Sequence, residues 1–250
     1  MTTANKIDIT ADLLDDFYTY MLNSNDAKDE EGYYSTGIHC SQLGMCKRKV
    51  VMDYFKFERK QYGLTTLLMF EGGNHFHGMV QTWIRNSKRF KLLHENFVVT
   101  PGLPKPITGK LDVVFQDTIT NLIILADVKT AMPKQFQIQK NRDSLPKENH
   151  RIQVTAYGYG LTKLDIRFDL LAIMYFDRAG SNKPLIYFVE PYKDIEDLFN
   201  QYILAVLRYE QDKILPPRLD DILDKSQAWE CGYCDFNNIS CEGLMKGEKV

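Results

Sequence analysis

The chain has 250 residues, 44% of them hydrophobic and 26% charged, with a formal net charge of −2. That balance suits a globular protein with a sizeable core, either one large domain or a domain with an appendage. It argues against a protein coated in positive charge, and no run approaches the ~18 apolar residues of a membrane span.

The opening residues, Met1-Thr-Thr-Ala-Asn-Lys-Ile-Asp8, lack the basic and apolar regions of a signal peptide. The expectation is a cytoplasmic protein, in a compartment where thiols stay reduced. Its five cysteines then read as ligands or core residues rather than a disulfide framework. Charge is unevenly spread. Residues 11–31 are acidic. Lys47, Arg48, Lys49, Lys56, Arg59 and Lys60 face only Asp53 and Glu58 in their stretch. A second basic stretch holds Lys129, Lys134, Lys140, Arg142, Lys147 and Arg151. A local basic groove can bind phosphates on a globally neutral protein.

In chain order, Thr10 is placed to cap a helix running to about Leu22, with Leu14, Phe17 and Met21 on one face. Residues 23–37 read as a loop. Ser41 reads as the cap of a second helix through Tyr54. A third helix spans Thr65 to Arg89, weakened at Gly72-Gly73. Three strands follow, at Leu92–Thr100, Ile107–Phe115 and Leu122–Thr130. Residues 131–146 read as a loop between Pro133 and Pro146. A helix over Lys147–Leu164 precedes apolar strands at Ile166–Asp177 and Pro184–Glu190. A long helix over Asp194–Asp212 ends before Pro216-Pro217. Strands flanked by helices predict an α/β core of mixed sheet.

The chemistry-bearing residues lie in four places. The first is a hairpin. Asp112 ends the run Ile107-Thr-Gly-Lys-Leu-Asp112, and Asp127-Val128-Lys129 ends the next apolar strand. Side chains alternate along a strand, so Asp127 and Lys129 share a face and Val128 points to the core. Two carboxylates beside an ammonium suit metal-assisted phosphodiester cleavage, the acids holding a hard divalent ion and the lysine a water. The second is Gly73-Asn-His75-Phe-His77 on the third helix. The third is Gln153-Val-Thr-Ala-Tyr157, where residues four apart share a helix face. The fourth is Cys231-Gly-Tyr-Cys234, followed by Cys241. A soft thiolate site wants four ligands, and the tail supplies three, so the fourth comes from Cys40 or Cys46. Zinc and iron–sulfur both suit such thiolates.

In this order and spacing the motifs resemble the iron–sulfur branch of the RecB-type nucleases, within the PD-(D/E)XK superfamily. That branch includes the AddB nuclease, the CRISPR-associated adaptation exonuclease and related phage exonucleases. The resemblance covers residues 40–241. It implies a restriction-endonuclease-like core over 41–217, after an N-terminal helix and loop over 1–40. A cysteine-bearing tail over 218–250 would be tied to the N-terminal segment by a metal cluster. Leu111 stands where the superfamily name has proline, and Asp127 where glutamate is more usual. The resemblance implies that His77, Asp112, Asp127 and the Val128 carbonyl hold Mg²⁺ or Mn²⁺. It further implies that Lys129 handles the attacking water, that Gln153 orients the lysine or the water, and that Tyr157 contacts the DNA backbone. Cys46, Cys231, Cys234 and Cys241 would hold a [4Fe–4S] cluster, with structural Zn²⁺ as the alternative, and Cys40 is left as a structural residue. The implied activity is a metal-dependent DNA exonuclease acting on single-stranded or frayed ends. The alternative is a DNA-end-binding subunit. Beyond DNA, the implied partners are helicase, recombination or CRISPR adaptation proteins.

Overall fold

The structure, a computed structural model, describes residues 17–23, 37–102, 107–141, 145–219 and 225–241. Helical residues 17–23 (α1) come first, then β1 (Ile38–His39), α2 (Lys47–Tyr54) and α3 (Leu64–Asn86). Next are β2 (Phe90–Glu95), β3 (Val98–Gly102), β4 (Ile107–Lys110), β5 (Val113–Asp117) and β6 (Ile123–Ala131). The chain closes with α4 (Pro133–Asn141), α5 (Glu148–Lys163), β7 (Leu170–Asp177), β8 (Leu185–Val189) and α6 (Ile195–Asp212). A five-stranded sheet has the order β2-β5-β6-β7-β8, and a three-stranded sheet the order β1-β4-β3. The larger sheet is mixed. β6 and β7 are parallel and joined through α4 and α5, as a parallel pair requires. Its other neighbours run antiparallel.

Alternation along the strands sends side chains to two different cores. On one face Val113, Phe115, Ile124, Ala126 and Val128 pack against Val80 and Ile84 of α3. On the other, Val114, Leu125, Leu171 and Ile173 meet Ile152, Val154 and Ala156 of α5, with Phe199, Ile203 and Val206 of α6 in the same cluster. Sandwiched this way, α5 is buried around much of its circumference, which explains its weak amphipathicity. Each fully buried aliphatic side chain contributes about 1.5–3 kcal/mol, so these two layers hold the site rigidly.

Several expected elements differ in the structure. The expected helix from Ser41 divides into a 3-10 turn at Cys40–Gln42 and then α2, because Gly44 takes a left-handed φ of 80°. α3 runs unbroken through Gly72-Gly73. The expected strand Leu92–Thr100 is two strands in two sheets, turning at Asn96 with φ 52°. Likewise Ile107–Phe115 splits between sheets at Leu111-Asp112. The expected loop over 131–146 contains α4. Pro133 starts it, where a missing N–H costs nothing, and Phe136 anchors it in the core. The expected helix start at Thr10 with Leu14, most of the 23–37 loop and the end of the tail lie outside the described residues. Among the described residues no helix is long and apolar enough to cross a membrane.

Candidate active site

The split at Leu111-Asp112 builds the site. Val113 of β5 pairs with Ala126 of β6, so β5 ends where Asp127 begins. Asp112 caps the exposed edge this leaves, and the Val128 amide donates to Asp112 Oδ2 at 2.7 Å. From the α3 side, His77 Nδ1 meets Asp112 Oδ1 at 2.7 Å, and Gln81 Nε2 donates to the Asp112 carbonyl at 3.0 Å. Burial disfavours the charged form of His77, but the hydrogen bond and charge of Asp112 outweigh it and raise the imidazole pKa.

Asp127 and Lys129 share a face, as alternation requires. Asp127 is 1% exposed, while Lys129 reaches the cavity. Burial pushes the Asp127 carboxyl up to about 6; Lys129 opposes the rise and Asp112 adds to it. Lys129 Nζ donates to Asp127 Oδ1 at 3.2 Å and to Gln153 Oε1 at 2.8 Å. Asp127 Oδ2 lies 2.9 Å from Nζ as an ion-pair partner, without a hydrogen bond of its own. Gln153 Nε2 in turn donates to the Tyr157 hydroxyl at 2.6 Å. The result is a chain from the α5 core to the lysine: Tyr157 holds Gln153, and Gln153 holds Lys129. Tyr157 is 4% exposed and its ring lies against Gly109, in a wall of the cavity. Cys40 is fully buried there, and burial pushes its thiol up.

Among the described residues, no three His, Cys, Asp or Glu side chains stand close enough together to hold a metal ion. At the acidic site the donors are engaged with one another: His77 with Asp112, Asp112 with the Val128 amide, Asp127 with Lys129. The donor set itself, two carboxylates and one imidazole, suits a hard divalent ion that tolerates nitrogen. The buried Asp127 Oδ2 accepts no hydrogen bond and so has lone pairs left for a divalent ion beside the Lys129 ammonium.

These groups line a cavity of about 630 Å³ that sequence reasoning had not outlined. Its walls add His39, Gln42, Lys49, Asp53, Lys56, Arg59 and Lys110. Asp53 is central: Lys49 pairs with it at 2.8 Å and Gln42 Nε2 donates at 3.0 Å. The i, i+4 spacing of Lys49 and Asp53 was legible as a helix pair, but not that it faces Asp127. The basic stretches divide. Lys49, Lys56 and Arg59 reach the cavity. Lys47 is held by Gln201, Arg48 by the Pro216 carbonyl, and Arg151 by Glu148 and the Tyr192 ring.

Cys46, Cys231, Cys234 and Cys241 line a second, largely apolar cavity of about 110 Å³ with Met45, Met52 and Trp229. Cys46 is the N-cap of α2, and its amide donates to Glu230 at 3.0 Å. Turns tie the tail cysteines together: Cys234 N donates to the Cys231 carbonyl, and Cys241 N to Phe236. None of the five cysteines is in a disulfide. Burial pushes the Cys46 and Cys234 thiols up, so holding them as thiolates calls for positive charge in the cavity. Tail and site share a wall, since Lys49 lines both cavities and Phe236 lines the larger.

No protein-family profile and no curated protein sequence matches the chain. Among solved structures, an alkaline exonuclease (LHK-Exo) from Laribacter hongkongensis is similar at 10% identity and TM-score 0.48, over 71% of this chain and 93% of its own. A phage-related exonuclease from Haemophilus somnus 129PT is similar at 12% identity and TM-score 0.46, over 69% and 92%. The crystal structure of SSO0001 matches over 91% of this chain and 97% of its own, at 16% identity and TM-score 0.53. This chain shares the fold of SSO0001, a five-stranded mixed sheet between helical layers.

Proposed function

We propose that this chain is a metal-dependent DNA exonuclease that works on single-stranded or frayed ends. The observation that carries the reading is the convergence of His77, Asp112, Asp127 and Lys129 on one cavity wall. Burying a carboxylate such as Asp127 beside a lysine is costly, and a fold retains such a pair where chemistry uses it. A DNA-binding subunit without activity would have no need of it.

His77, Asp112, Asp127 and the Val128 carbonyl are the groups that would hold Mg²⁺ or Mn²⁺, which would polarise the phosphate and acidify a water. Lys129 orients that water and donates to the phosphate oxygens as charge builds. Gln153, braced by Tyr157, fixes the ammonium in place. In each turnover a water loses a proton as its oxygen bonds to phosphorus, the bond from phosphorus to the leaving deoxyribose oxygen breaks, and that oxygen takes up a proton. A cavity of about 630 Å³ is of the size that encloses a small ligand, which favours a strand end over an intact duplex. Unwinding would then fall to a partner protein.

We also infer that the four cavity-lining cysteines hold a structural [4Fe–4S] cluster. A single zinc would draw its thiolates to about 2.3 Å from one point. The four cysteines line one cavity, which supports a shared metal centre, with structural Zn²⁺ as the alternative to the cluster.

The nuclease reading is tested with labelled linear DNA and Mn²⁺. Asp127→Ala and Lys129→Ala should each abolish cleavage while leaving the fold and the iron content unchanged. Wild-type activity in either variant removes the mechanism.

A further inference from the structure

We propose that Arg178 binds the phosphate next to the scissile one, as the nucleic-acid strand crosses α3 at Gly72-Gly73. The proposal rests on the nuclease reading above. Arg178 follows β7, and its amide donates to the Ala131 carbonyl at 3.0 Å, which pins it to the end of β6. Its Nε donates to Thr130 Oγ1 at 2.9 Å. Thr130 follows Lys129 but points to the opposite, α3-facing side of the strand, so the guanidinium is held beside α3, on the His77 side of the site. The adjacent Asp177 is turned to its own loop, accepting from Ala179 N, Ser181 Oγ and Asn182 Nδ2. Among the described residues no carboxylate pairs with Arg178, which leaves its two Nη groups for an external acceptor. A guanidinium with its Nε anchored and both Nη free suits a phosphate oxygen pair.

The helix opposite gives the second observation. Gly73 and His77 are four apart on one face of α3, just over one turn or about 6 Å along the axis. Arg178 Nη2 lies over Gly73. Two adjacent glycines weaken the middle of a helix relative to alanine, yet nothing among the described residues requires them. A Cβ at Gly72 would meet no atom within 4 Å, and one at Gly73 would find Arg178 Nη2 and Thr130 Oγ1 at 3.8 Å, an ordinary contact. A bare backbone that its own fold does not need suits close approach of a ligand. The strand would therefore pass from the His77–Asp127 centre over Gly73 to Arg178.

The test uses a single-stranded oligonucleotide with Mn²⁺, and the same oligonucleotide with one neutral methylphosphonate beside the cleaved position. For Arg178→Ala, kcat/KM on the natural strand should fall about 10- to 100-fold, the scale of a lost hydrogen bond to a charged group. Wild type should lose a similar factor on the methylphosphonate strand, and Arg178→Ala should lose nothing more there. Gly72→Leu, which the fold accommodates, should reproduce the loss with a Tm no lower than that of wild type. Lys91→Ala, on the far edge strand β2, serves as the control. Arg178→Ala cleaving like wild type overturns the proposal and leaves the nuclease reading standing. If wild type cleaves nothing, the nuclease reading fails, and binding of the same strand in EDTA decides on Arg178. A slope of log K against log salt lower by about 0.7 in Arg178→Ala then supports the contact, and an unchanged slope overturns it.

Discussion

Asp127→Asn is expected to make the metal-free protein more stable. Burial lifts this carboxyl from 3.8 to about 6. The folded state then binds the proton more tightly than the unfolded one, so stability falls as pH rises from about 4 through about 6. A rise of roughly two units corresponds to about 3 kcal/mol lost at pH 8. Asparagine removes the charge but takes one partner from Lys129, a loss of about 1 kcal/mol. The net gain of about 2 kcal/mol raises Tm by about 4–8 °C in a chain of this size. At pH 5 the folded carboxyl is largely protonated while the unfolded one is still ionised, so about half of the destabilisation is gone. The assay is thermal unfolding of both proteins in EDTA at pH 8 and pH 5. The variant should melt higher at pH 8, by a margin that narrows at pH 5, and should cleave nothing with Mn²⁺. A variant that melts below wild type at pH 8, or a margin independent of pH, would refute the reasoning.

Gly109→Ala tests the brace behind the lysine. The new Cβ would lie 2.6 Å from Cys40 Sγ and against the Tyr157 ring. Overpacking of this kind costs about 1–3 kcal/mol. Displacing Tyr157 should also loosen Gln153 and Lys129, so kcat should fall while KM changes little; an unchanged kcat would remove Tyr157 from the account. Cys46→Ala should bleach anaerobically prepared protein and lower its solubility, because the tail loses its tie to α2. Cys40→Ala should stay brown. Metal analysis finding zinc without iron would overturn the cluster and leave the nuclease site untouched.

The sequence was most legible where pattern and fold agree. Asp127, Val128 and Lys129 take the alternating faces their strand period demanded, and the four-residue spacing of Gln153 and Tyr157 became a hydrogen bond. The break at Leu111-Asp112 was not legible, because the apolar run continues across it; two sheets compete for one stretch, and only tertiary pairing divides them. α4 was hidden for a different reason. Its two flanking prolines suggested a loop, although Pro133 is well placed to start a helix. The cavity lining was out of reach because Asp53, Lys110 and His39 come from separate elements with no shared motif. Arg178 was equally invisible, since its role depends on the register that sets Thr130 beside it.

The most direct test of the central claim compares end-labelled linear single strands with covalently closed single-stranded circles. Both are incubated with anaerobically purified protein and Mn²⁺. Linear strands should shorten progressively from an end, circles should survive, and EDTA or Lys129→Ala should stop the reaction. Circles cut as readily as linear strands would contradict the exonuclease assignment. Failure to degrade either substrate with Mg²⁺ or Mn²⁺ would contradict the active site itself.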